Sequence, residues 1–387
     1  MPEPVTATAQ TSGENERDLQ AIPLPDLTLV PASKAQIHES HNRTWTMWGR
    51  GLPKENFMER ISKMYEHQTA TDGKAVTWVL VRREDPKGLD FLCSCMTFKR
   101  DGFVVDAGSD HCGRSVVCYG VAAVFTDPRY RKKGYAKHMM RLLHWVLAPF
   151  DALPSFPTEL WGERPKKEDW IGVEQYIEGH GGNAAFSALY SVIGSELYKK
   201  CGMLPEEDGW VVQDPGTNRW NTDFMEPSDG EDWEWLDLKG VNKIWKVDRE
   251  LMKKEMEQPN PMKAICAFFP DKGVAEFQIL KLAYFWNKLD IKHWGVRKGN
   301  AFASWTVDLQ PDSSFVVVIT RLRAEKNEFQ DLLRVMIGFA KRHEIKHFEI
   351  WGLKEELREQ FVKAEKCGSL PAIKSYSTEY EWRFNEK

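Results

Sequence analysis

The sequence predicts an α+β protein in which a mixed sheet is flanked by helices, followed by a second, similar α/β domain. Three observations lead to this prediction. The chain has 387 residues, which is more than one ordinary hydrophobic core takes up. Three β-rich runs between residues 76 and 126 precede an amphipathic helix. Beyond residue 300, strands followed by a helix occur again in the same order.

The elements of the first half follow from local patterns. Runs rich in Val, Phe, Tyr and Thr lie between Asp-Gly and Asp-Pro pairs and predict an antiparallel meander. Ser33 is a good N-cap for the first helix, and Pro53 is a good start for the second. The predicted strands are Leu27–Pro31, Val76–Arg82, Phe91–Phe98, Ser115–Thr126 and Phe186–Val192. The predicted helices are Ile37–Trp48, Pro53–Tyr65, Ala136–Leu147 and Gly194–Lys200.

The second half contains one helix that is well marked, because its apolar residues fall on a single stripe between residues 329 and 340. We predict this helix at Glu325–His343, with strands at Phe302–Leu309, Phe315–Thr320 and His347–Trp351. The loop before the helix contains no glycine. This distinguishes it from the corresponding loop of the first half, described below.

Composition divides the chain into four predicted parts. Residues 1–25 read as a flexible tail, because they cannot bury enough apolar surface to become ordered. Residues 26–210 form the first domain. Residues 211–260, which are rich in Trp, Pro, Gly and acidic residues, form a connector. Residues 261–387 form the second domain.

The charge balance bears on the class of partner. The 53 basic and 57 acidic residues leave a net charge of −4. This balance supplies no electrostatic reason to expect binding to nucleic acid or to a membrane surface. We therefore expect a small-molecule substrate.

The cysteines and histidines indicate neither a disulfide framework nor a metal site. Seven cysteines at irregular spacing predict a reducing compartment. The first 20 residues are acidic and lack an apolar stretch, so we expect a cytoplasmic location. His138 and His144 are six residues apart on a helix and do not share a face, and no metal is expected. For Cys112 and Cys118, packing is preferred to thiol chemistry because no oriented base is evident.

One loop has the pattern of an anion-binding site. A buried strand ends at Asp127-Pro128, and a basic loop around Gly134 leads into the helix that begins near Ala136. A helix N-terminus presents unpaired N–H groups and the positive end of the helix dipole. Gly134 and Ala136 are small enough to let a diphosphate approach the backbone. A basic loop between a strand and a helix can also be an ordinary connection, so its surroundings have to decide.

Two signatures in the right order resemble the Gcn5-related N-acetyltransferase (GNAT) superfamily. Arg131-x-x-Gly134-x-Ala136, after a strand and a proline, resembles that family's acetyl-coenzyme-A loop. Downstream, a strand followed by Leu197-Tyr198-x-x-x-Gly202 resembles its second signature. The amino-acid sequence from Val124 to Trp145 is similar to the corresponding segment of fungal lysine N6-acetyltransferases of the LYC1 type.

The chain departs from the family in two places. Ser191 and Gly194 stand where the family often has Asn and Ala, which leaves a coenzyme contact from Ser191 open. The segment from residue 149 to residue 182 is also longer than the usual connection.

The resemblance implies the site residues and the co-substrate. Acetyl-coenzyme A (acetyl-CoA) would bind to the residues of the strand end, the basic loop and the second signature. These are Val124, Phe125, Thr126, Arg131, Lys132, Lys133, Gly134, Tyr135, Ala136 and Ser191. Residues 26–210 would be the catalytic domain, and the second domain would be GNAT-like, bind no coenzyme and close the substrate cleft. Tyr198 matches the family's catalytic phenol, which gives a proton to the leaving thiolate; the alternative is a packing role.

The implied reaction is direct attack of an amine on the thioester, with the ε-amine of free L-lysine as the preferred acceptor. The general base stays open: Asp106, Asp110, Glu174 and Glu178 lie in segments that could line the cleft, but such residues are more often solvated surface carboxylates. The alternatives are another small amine, such as a polyamine or an amino sugar, and a non-catalytic scaffold that binds acyl-CoA. Acetylation of protein lysines is less favoured, because the long segment and the second domain would enclose the cleft. The 16 tryptophans could form a cage for a cationic amine but are more often core residues.

Overall fold

The computed structural model describes residues 21–109, 112–170, 179–214, 216–257, 262–281, 289–310, 314–353, 357 and 370–384. Within these residues the strands form two sheets, one of nine strands and one of six. Both sheets mix parallel and antiparallel pairs and have helices packed against them. The predicted α+β class is confirmed.

The elements are numbered along the chain. The first sheet consists of β1 Leu27–Pro31, β2 Ala75–Arg82, β3 Cys93–Val105, β4 Arg114–Thr126, β5 Phe186–Ser191, β6 Val211–Val212, β9 Ile265–Phe268, β14 Leu370–Ser375 and β15 Glu381–Trp382. The second sheet consists of β7 Thr217–Asn221, β8 Glu234–Leu236, β10 Gly295–Lys298, β11 Ala301–Leu309, β12 Phe315–Arg323 and β13 His347–Trp351. The helices are α1 Lys34–Trp48, α2 Lys54–Glu66, α3 Tyr135–Leu147, α4 Thr158–Trp161, α5 Glu196–Lys199, α6 Leu238–Met256, α7 Val274–Leu280 and α8 Lys326–Arg342.

The first four strands form the predicted antiparallel meander, and β4 then pairs in parallel with β5. A parallel pair needs a crossover connection, and α3 lies in it. Ser33 caps α1 in a capping box with Gln36, as the sequence predicted for this helix start. β3 is longer than predicted. It continues through Asp101 and Gly102 because β4 and β9 pair with it on both edges.

The second sheet repeats the order of elements around β4. β11 and β12 form an antiparallel pair, α8 follows, and β13 then pairs in parallel with β12. The stretch 211–260, predicted as a connector, contributes two edge strands to this sheet and contains α6. Three tryptophans of this stretch, Trp220, Trp233 and Trp245, are buried in the core of the second sheet, and the fourth, Trp235, is partly buried against it.

Strands from the end of the chain join the first sheet. β14 lies between β5 and β6, β9 pairs with β3, and β15 pairs with β9. The first sheet therefore takes strands from both sides of the predicted division at residues 211–260. Each sheet has its own large apolar core, and the largest fully buried side chains include six tryptophans. In the part of the chain described, none of the helices combines the length and apolar character needed to cross a bilayer.

Candidate functional site

Strands β4 and β5 separate at a point in the middle of β4. Their parallel ladder consists of three pairs and ends at Gly120 opposite Ala188, although both strands continue. Further along β4, Ala123 and Val124 together stand opposite Cys95 of β3, which is a β-bulge. Ala123 has a φ of 53°, an uncommon value for a residue other than glycine. The separation and the bulge leave backbone groups of β4 facing an opening in the sheet.

The loop after β4 leads into α3, a helix whose N-terminus has no side-chain cap. A single 3₁₀ turn, Pro128–Tyr130, follows Asp127, and α3 then begins after Gly134. Gly134 adopts the left-handed conformation with a φ of 82°, and no side chain caps the helix start. By contrast, capping boxes close the N-termini of α1 and α8. The first turn of α3 therefore presents free N–H groups next to three basic residues, as an anion site requires.

Asp127 fixes the exit from β4. Its buried carboxylate accepts hydrogen bonds from the backbone N–H and side chain of Arg129 and forms an ion pair with Arg43 at 3.1 Å. Burial works to raise the pKa of Asp127, but the hydrogen bonds from Arg129 and the charges of Arg129 and Arg43 outweigh it and lower this pKa. The strand end is thus held in place by a charge that stays ionised.

Several of the predicted coenzyme contacts have other partners. The Arg131 Nε donates to the Thr126 carbonyl at 3.2 Å, so this side chain turns back along the loop. The Tyr135 hydroxyl accepts from the Ile22 N–H at 2.7 Å and is buried. Ser191 is also buried. Its Oγ donates to the Gly194 carbonyl at 2.6 Å and accepts from the N–H of residue 193, closing the turn after β5. These three residues would contribute through their backbone rather than through their side chains.

Tyr198 lies in α5, close to the β4 bulge. Its phenol is largely buried, and burial raises its pKa to about 12, with smaller contributions from the thiols of Cys201 and Cys95. Cys95 is the β3 residue opposite the bulge, and Tyr198 and Cys95 belong to the same apolar core. Among the described residues the Tyr198 hydroxyl has no hydrogen-bond partner. A phenol with this pKa is protonated at neutral pH and can donate a proton.

A cavity lies on the other face of the sheet. Tyr119 belongs to the core that contains α3, whereas Gly120 and Ala122 line the cavity; Val121, between them, belongs to that core and also borders the cavity. Successive residues of a strand point to opposite faces, so the cavity and α3 lie on opposite sides of β4. The cavity has a volume of about 190 Å³ and reaches the place where β4 and β5 separate. An added Cβ at Gly120 would meet no heavy atom within 4 Å in the described structure.

The walls of the cavity come from both halves of the chain. β3, β4 and β5 supply one side, and β9, α7, β12 and the segment around β15 supply the other. Most of the surface is apolar, and much of it is aromatic: Phe98, Tyr190, Phe268, Phe269, Phe277 and Trp382. A larger cleft of about 1130 Å³ shares Arg321, Trp382 and Phe384 with the cavity. Residues from the second half of the chain thus form part of the cavity wall.

Two arginines line the cavity, and they differ in their partners. Arg321 is buried and paired with the buried carboxylate of Asp248 at 2.6 Å. Asp248 also pairs with Arg323, which pairs with Glu255. This network is balanced in charge. Arg100 instead donates one hydrogen bond from Nη1 to the Thr69 carbonyl at 3.0 Å and lies over the ring of Phe98.

The candidate bases do not come together at the bulge. Asp106 follows β3 and pairs with Arg114, the first residue of β4, at 3.5 Å. Val124 lies ten residues further along β4. At about 3.3 Å per residue this is on the order of 30 Å, too far for proton transfer. Asp110, Glu174 and Glu178 lie outside the described residues. Among the described residues that line the cavity, none is a carboxylate or a histidine.

The cysteines and histidines offer no alternative chemistry. Burial raises the pKa of Cys118 far above its ordinary value, and the Cys118 thiol faces the Arg100 carbonyl at 3.5 Å. Packing, the preferred interpretation of Cys118, agrees with this position. In the part of the chain that the structure describes, no three His, Cys, Asp or Glu side chains gather into a group that could hold a metal ion.

In the second sheet, the segment from β12 to α8 corresponds to the segment from β4 to α3. β12 also carries a register shift, at Thr320, opposite Ser304 and Trp305 of β11. The helix that follows, α8, starts with a capping box formed by Glu325 and Glu328. Carboxylates thus occupy the N–H groups that are free in α3, and they would repel a phosphate. This supports the prediction that the second domain binds no coenzyme.

Comparison with known proteins relates both halves to one fold. Residues 218–387 match the family described as the LYC1 GNAT-like C-terminal domain. The chain is similar to the solved structure of a GCN5-related N-acetyltransferase from Kribbella flavida, with 15% identity and a TM-score of 0.50 over 90% of this chain and 71% of that one. A GCN5-related N-acetyltransferase from Anabaena variabilis shares 12% identity with a TM-score of 0.48, over 90% and 73% of the two chains. No curated protein matches the chain in sequence.

Proposed function

We propose, on the premise that this chain has the GNAT fold and a LYC1-type GNAT-like C-terminal domain, that it is an acetyl-CoA-dependent N-acetyltransferase. The predicted superfamily and the predicted second GNAT-like domain are the confirmed part of this premise. The activity, the site residues and the acceptor are the proposal.

One observation carries the proposal. The opening between β4 and β5 has an uncapped helix N-terminus with a basic loop on one side and an aromatic cavity on the other. A diphosphate bound at the start of α3 would leave the attached pantetheine arm free to run along the exposed edge of β4 towards the bulge. An acceptor in the cavity would meet the thioester from the opposite face. Two reactants that enter from opposite sides fit direct transfer in a ternary complex.

The residues of the chain have two assigned tasks in this reaction. Backbone N–H groups near Val124 would stabilise the negative charge that develops on the carbonyl oxygen. The amine nitrogen forms a bond to the carbonyl carbon, the carbon–sulfur bond breaks, and the amine loses a proton. The leaving thiolate takes its proton from the Tyr198 hydroxyl, which is then reprotonated from solvent. The phenol has no competing hydrogen bond among the described residues, which supports this role.

Deprotonation of the amine is the step with no assigned residue. A lysine ε-amine with a pKa of about 10.4 is almost entirely protonated at pH 7, and forming the neutral amine costs roughly 4 to 5 kcal/mol. The cavity lining that is described contains no carboxylate or histidine. We propose that water in the neighbouring large cleft accepts this proton, since that cleft and the cavity share Arg321 and Trp382 in their walls.

We propose free L-lysine as the acceptor and the cytoplasm as the place of reaction. The resemblance of residues 124–145 to lysine N6-acetyltransferases and the C-terminal family match support lysine. The cavity volume of about 190 Å³ is below the range of roughly 300–1,000 Å³ that is usual for drug-sized ligands, which supports a small acceptor. The six cysteines in the described residues are all free thiols, which supports a reducing compartment.

A panel of amines tests the proposal. Purified protein is incubated with acetyl-CoA and L-lysine, spermidine, glucosamine or a lysine-containing peptide, and the released thiol is measured. We expect L-lysine to give the highest kcat/KM, with acetylation at N6 established by mass spectrometry. A higher kcat/KM with spermidine or glucosamine would show that the proposed acceptor is wrong, while the proposed acetyltransferase activity would stand. Tight binding of acetyl-CoA without thiol release from any amine would favour the non-catalytic scaffold.

A further inference from the structure

The aromatic cavity contains one charge that no described residue balances. The guanidinium of Arg100 has five N–H donors, and one of them has a partner among the described residues, the Thr69 carbonyl. No described carboxylate forms an ion pair with Arg100. The other cavity arginine, Arg321, belongs to the balanced network with Asp248. A guanidinium in an apolar cavity is costly unless an anion pairs with it.

One acidic residue beside the cavity, Glu276, is already engaged. Glu276 is part of α7, between two residues that line the cavity. Its carboxylate accepts a hydrogen bond from Gln68 at 2.7 Å and pairs with His67 at 3.2 Å. The His67 hydrogen bond is the main cause of the lowered pKa of Glu276. Glu276 therefore holds α7 against the end of α2 rather than balancing Arg100.

Burial changes the pKa of the Arg100 guanidinium. Burial lowers the pKa of Arg100 to about 10, which shows how poorly the surroundings solvate the cation. The Phe98 ring covers one face of the guanidinium, with its carbon 4.9 Å from the ring centre. An anion that entered the cavity would therefore meet a preoriented, weakly solvated partner. Arginine binds carboxylates in this way through two parallel hydrogen bonds.

We propose that Arg100 binds the carboxylate of the acceptor, so that the cavity selects amines that carry a carboxylate at the far end of an aliphatic chain. This inference rests on the proposed function for the reaction itself. It adds a specificity-determining residue and a substrate class, namely ω-amino carboxylates. Polyamines and amino sugars, which lack a carboxylate, would leave Arg100 unpaired.

The spacing along the sheet agrees with a lysine-sized acceptor. Arg100 pairs with Cys118, and Val124 of the bulge lies six residues further along β4, one of which is the extra bulge residue. The distance along the strand is therefore about 17 Å, at about 3.4 Å per residue. An extended arginine side chain reaches roughly 6 Å, and the six bonds from a lysine carboxyl carbon to its ε-nitrogen span roughly 7 Å, like two extended residues. With one hydrogen bond of about 3 Å these lengths add to roughly 16 Å, which is an upper limit because a strand side chain stands out from the sheet.

The apolar walls suit the part of the acceptor between its two charged ends. Phe98 of β3, Tyr190 of β5 and Phe277 of α7 line the cavity together with Arg100. Such surfaces pack against methylene groups. The aromatic faces also tolerate the ammonium form of the amine before it loses its proton. The described lining thus combines mostly apolar walls with the Arg100 cation.

The test compares acceptors that differ only in their carboxylate. L-Lysine and 6-aminohexanoate carry it, whereas L-lysinamide and cadaverine (1,5-diaminopentane) do not. We expect kcat/KM for the first two to exceed that for the last two by about 10- to 100-fold, the range for one charge-assisted hydrogen-bonded pair. Arg100→Met should reduce the rate with L-lysine by a similar factor, leave the rate with cadaverine nearly unchanged, and so abolish the preference. Arg100→Lys should restore part of it.

A matched control separates specificity from folding. Lys99 precedes Arg100 on β3, points to the opposite face, and bonds the Gly179 carbonyl at 3.0 Å. Lys99→Met removes the same charge from the same strand and should keep the preference for carboxylates. A wild-type enzyme that acetylates lysine and lysinamide equally well would overturn the inference. Equal losses for all four acceptors in Arg100→Met would also overturn it, because they would reveal a structural role.

The inference and the proposed function fail in different ways. If no amine releases thiol, the proposed reaction is wrong, and binding then decides the role of Arg100. In that case calorimetry with 6-aminohexanoate should show binding to the wild type and none to Arg100→Met. Equal binding to both proteins would reject the carboxylate site. If Arg100→Met does not fold, Arg100→Lys and the wild-type comparison of lysine with lysinamide still decide.

Discussion

Replacing Gly134 with valine tests the position of the coenzyme diphosphate. Gly134 has a φ of 82°, and an added Cβ would meet no heavy atom within 4 Å in the described structure. In the free protein the substitution therefore costs mainly left-handed backbone strain, on the order of 1–2 kcal/mol. The valine side chain would project into the open space in front of the first turn of α3. That is the space in which a diphosphate has to approach the backbone.

The expected loss of affinity follows from the hydrogen bonds that would be blocked. A hydrogen bond between a backbone N–H and a charged oxygen contributes about 1.5–3 kcal/mol. If the valine keeps the diphosphate from two N–H groups, acetyl-CoA binding weakens by roughly 3–6 kcal/mol. Because each 1.4 kcal/mol is about tenfold, the dissociation constant should rise at least about 100-fold.

Gly299 offers a matched control for the backbone strain. It lies in the turn between β10 and β11, has a φ of 61°, and also has open space around an added Cβ. Gly134→Val and Gly299→Val should lose similar stability in thermal unfolding, while only Gly134→Val should lose acetyl-CoA binding in calorimetry. Gly134→Val binding acetyl-CoA as tightly as Gly299→Val would refute the placement of the diphosphate at α3.

Three further predictions concern other parts of the molecule. Tyr198→Phe should lower kcat by about 100-fold, as expected for loss of a general acid, with unchanged acetyl-CoA affinity by calorimetry; an unchanged kcat would leave Tyr198 a packing residue. Burial lowers the pKa of His144 to about 3 and of His180 to about 4, so the folded protein binds fewer protons than the unfolded chain below pH 6.5. Stability should therefore fall with falling pH between about 6.5 and the folded values, by about 2 kcal/mol for each histidine at pH 5, in urea unfolding; equal midpoints at pH 7 and pH 5 would contradict this. Asp248→Asn leaves Arg321 without its buried counterion and should cost about 3–5 kcal/mol of unfolding free energy. A loss below about 1 kcal/mol would show that water replaces the carboxylate.

Local patterns predicted the elements around the coenzyme loop well. The Asp-Pro exit, the basic loop and the apolar stripe of α3 all lie within one short stretch of sequence, so their signals are local. The same holds for the capping box of Ser33 and for the stripe of α8. These features depend on neighbours three or four residues away, which a sequence displays directly.

The cavity could not be predicted in this way. Arg100 lies beyond the predicted end of β3 at Phe98, because Asp101-Gly102 reads as a turn unless pairing with β9 is known. Its importance depends on the absence of a nearby described carboxylate, which involves residues far apart in the chain. Asp106 was a candidate base because it is close to β4 in sequence, but closeness in sequence did not bring it to the bulge. It lies at the far end of that strand from the bulge.

The pairing of β14 with β5 has a consequence for how the protein is made. β5 ends at Ser191, and its partner along its whole length does not begin until Leu370. During synthesis the edge of β5 that pairs with β14 therefore stays unpaired until almost 180 further residues have emerged from the ribosome. Unpaired strand edges of this kind invite aggregation, and such distant contacts slow folding. The opening that would hold the thioester is one of the last parts of the protein to form, so shortened chains would carry a coenzyme loop without a finished active site.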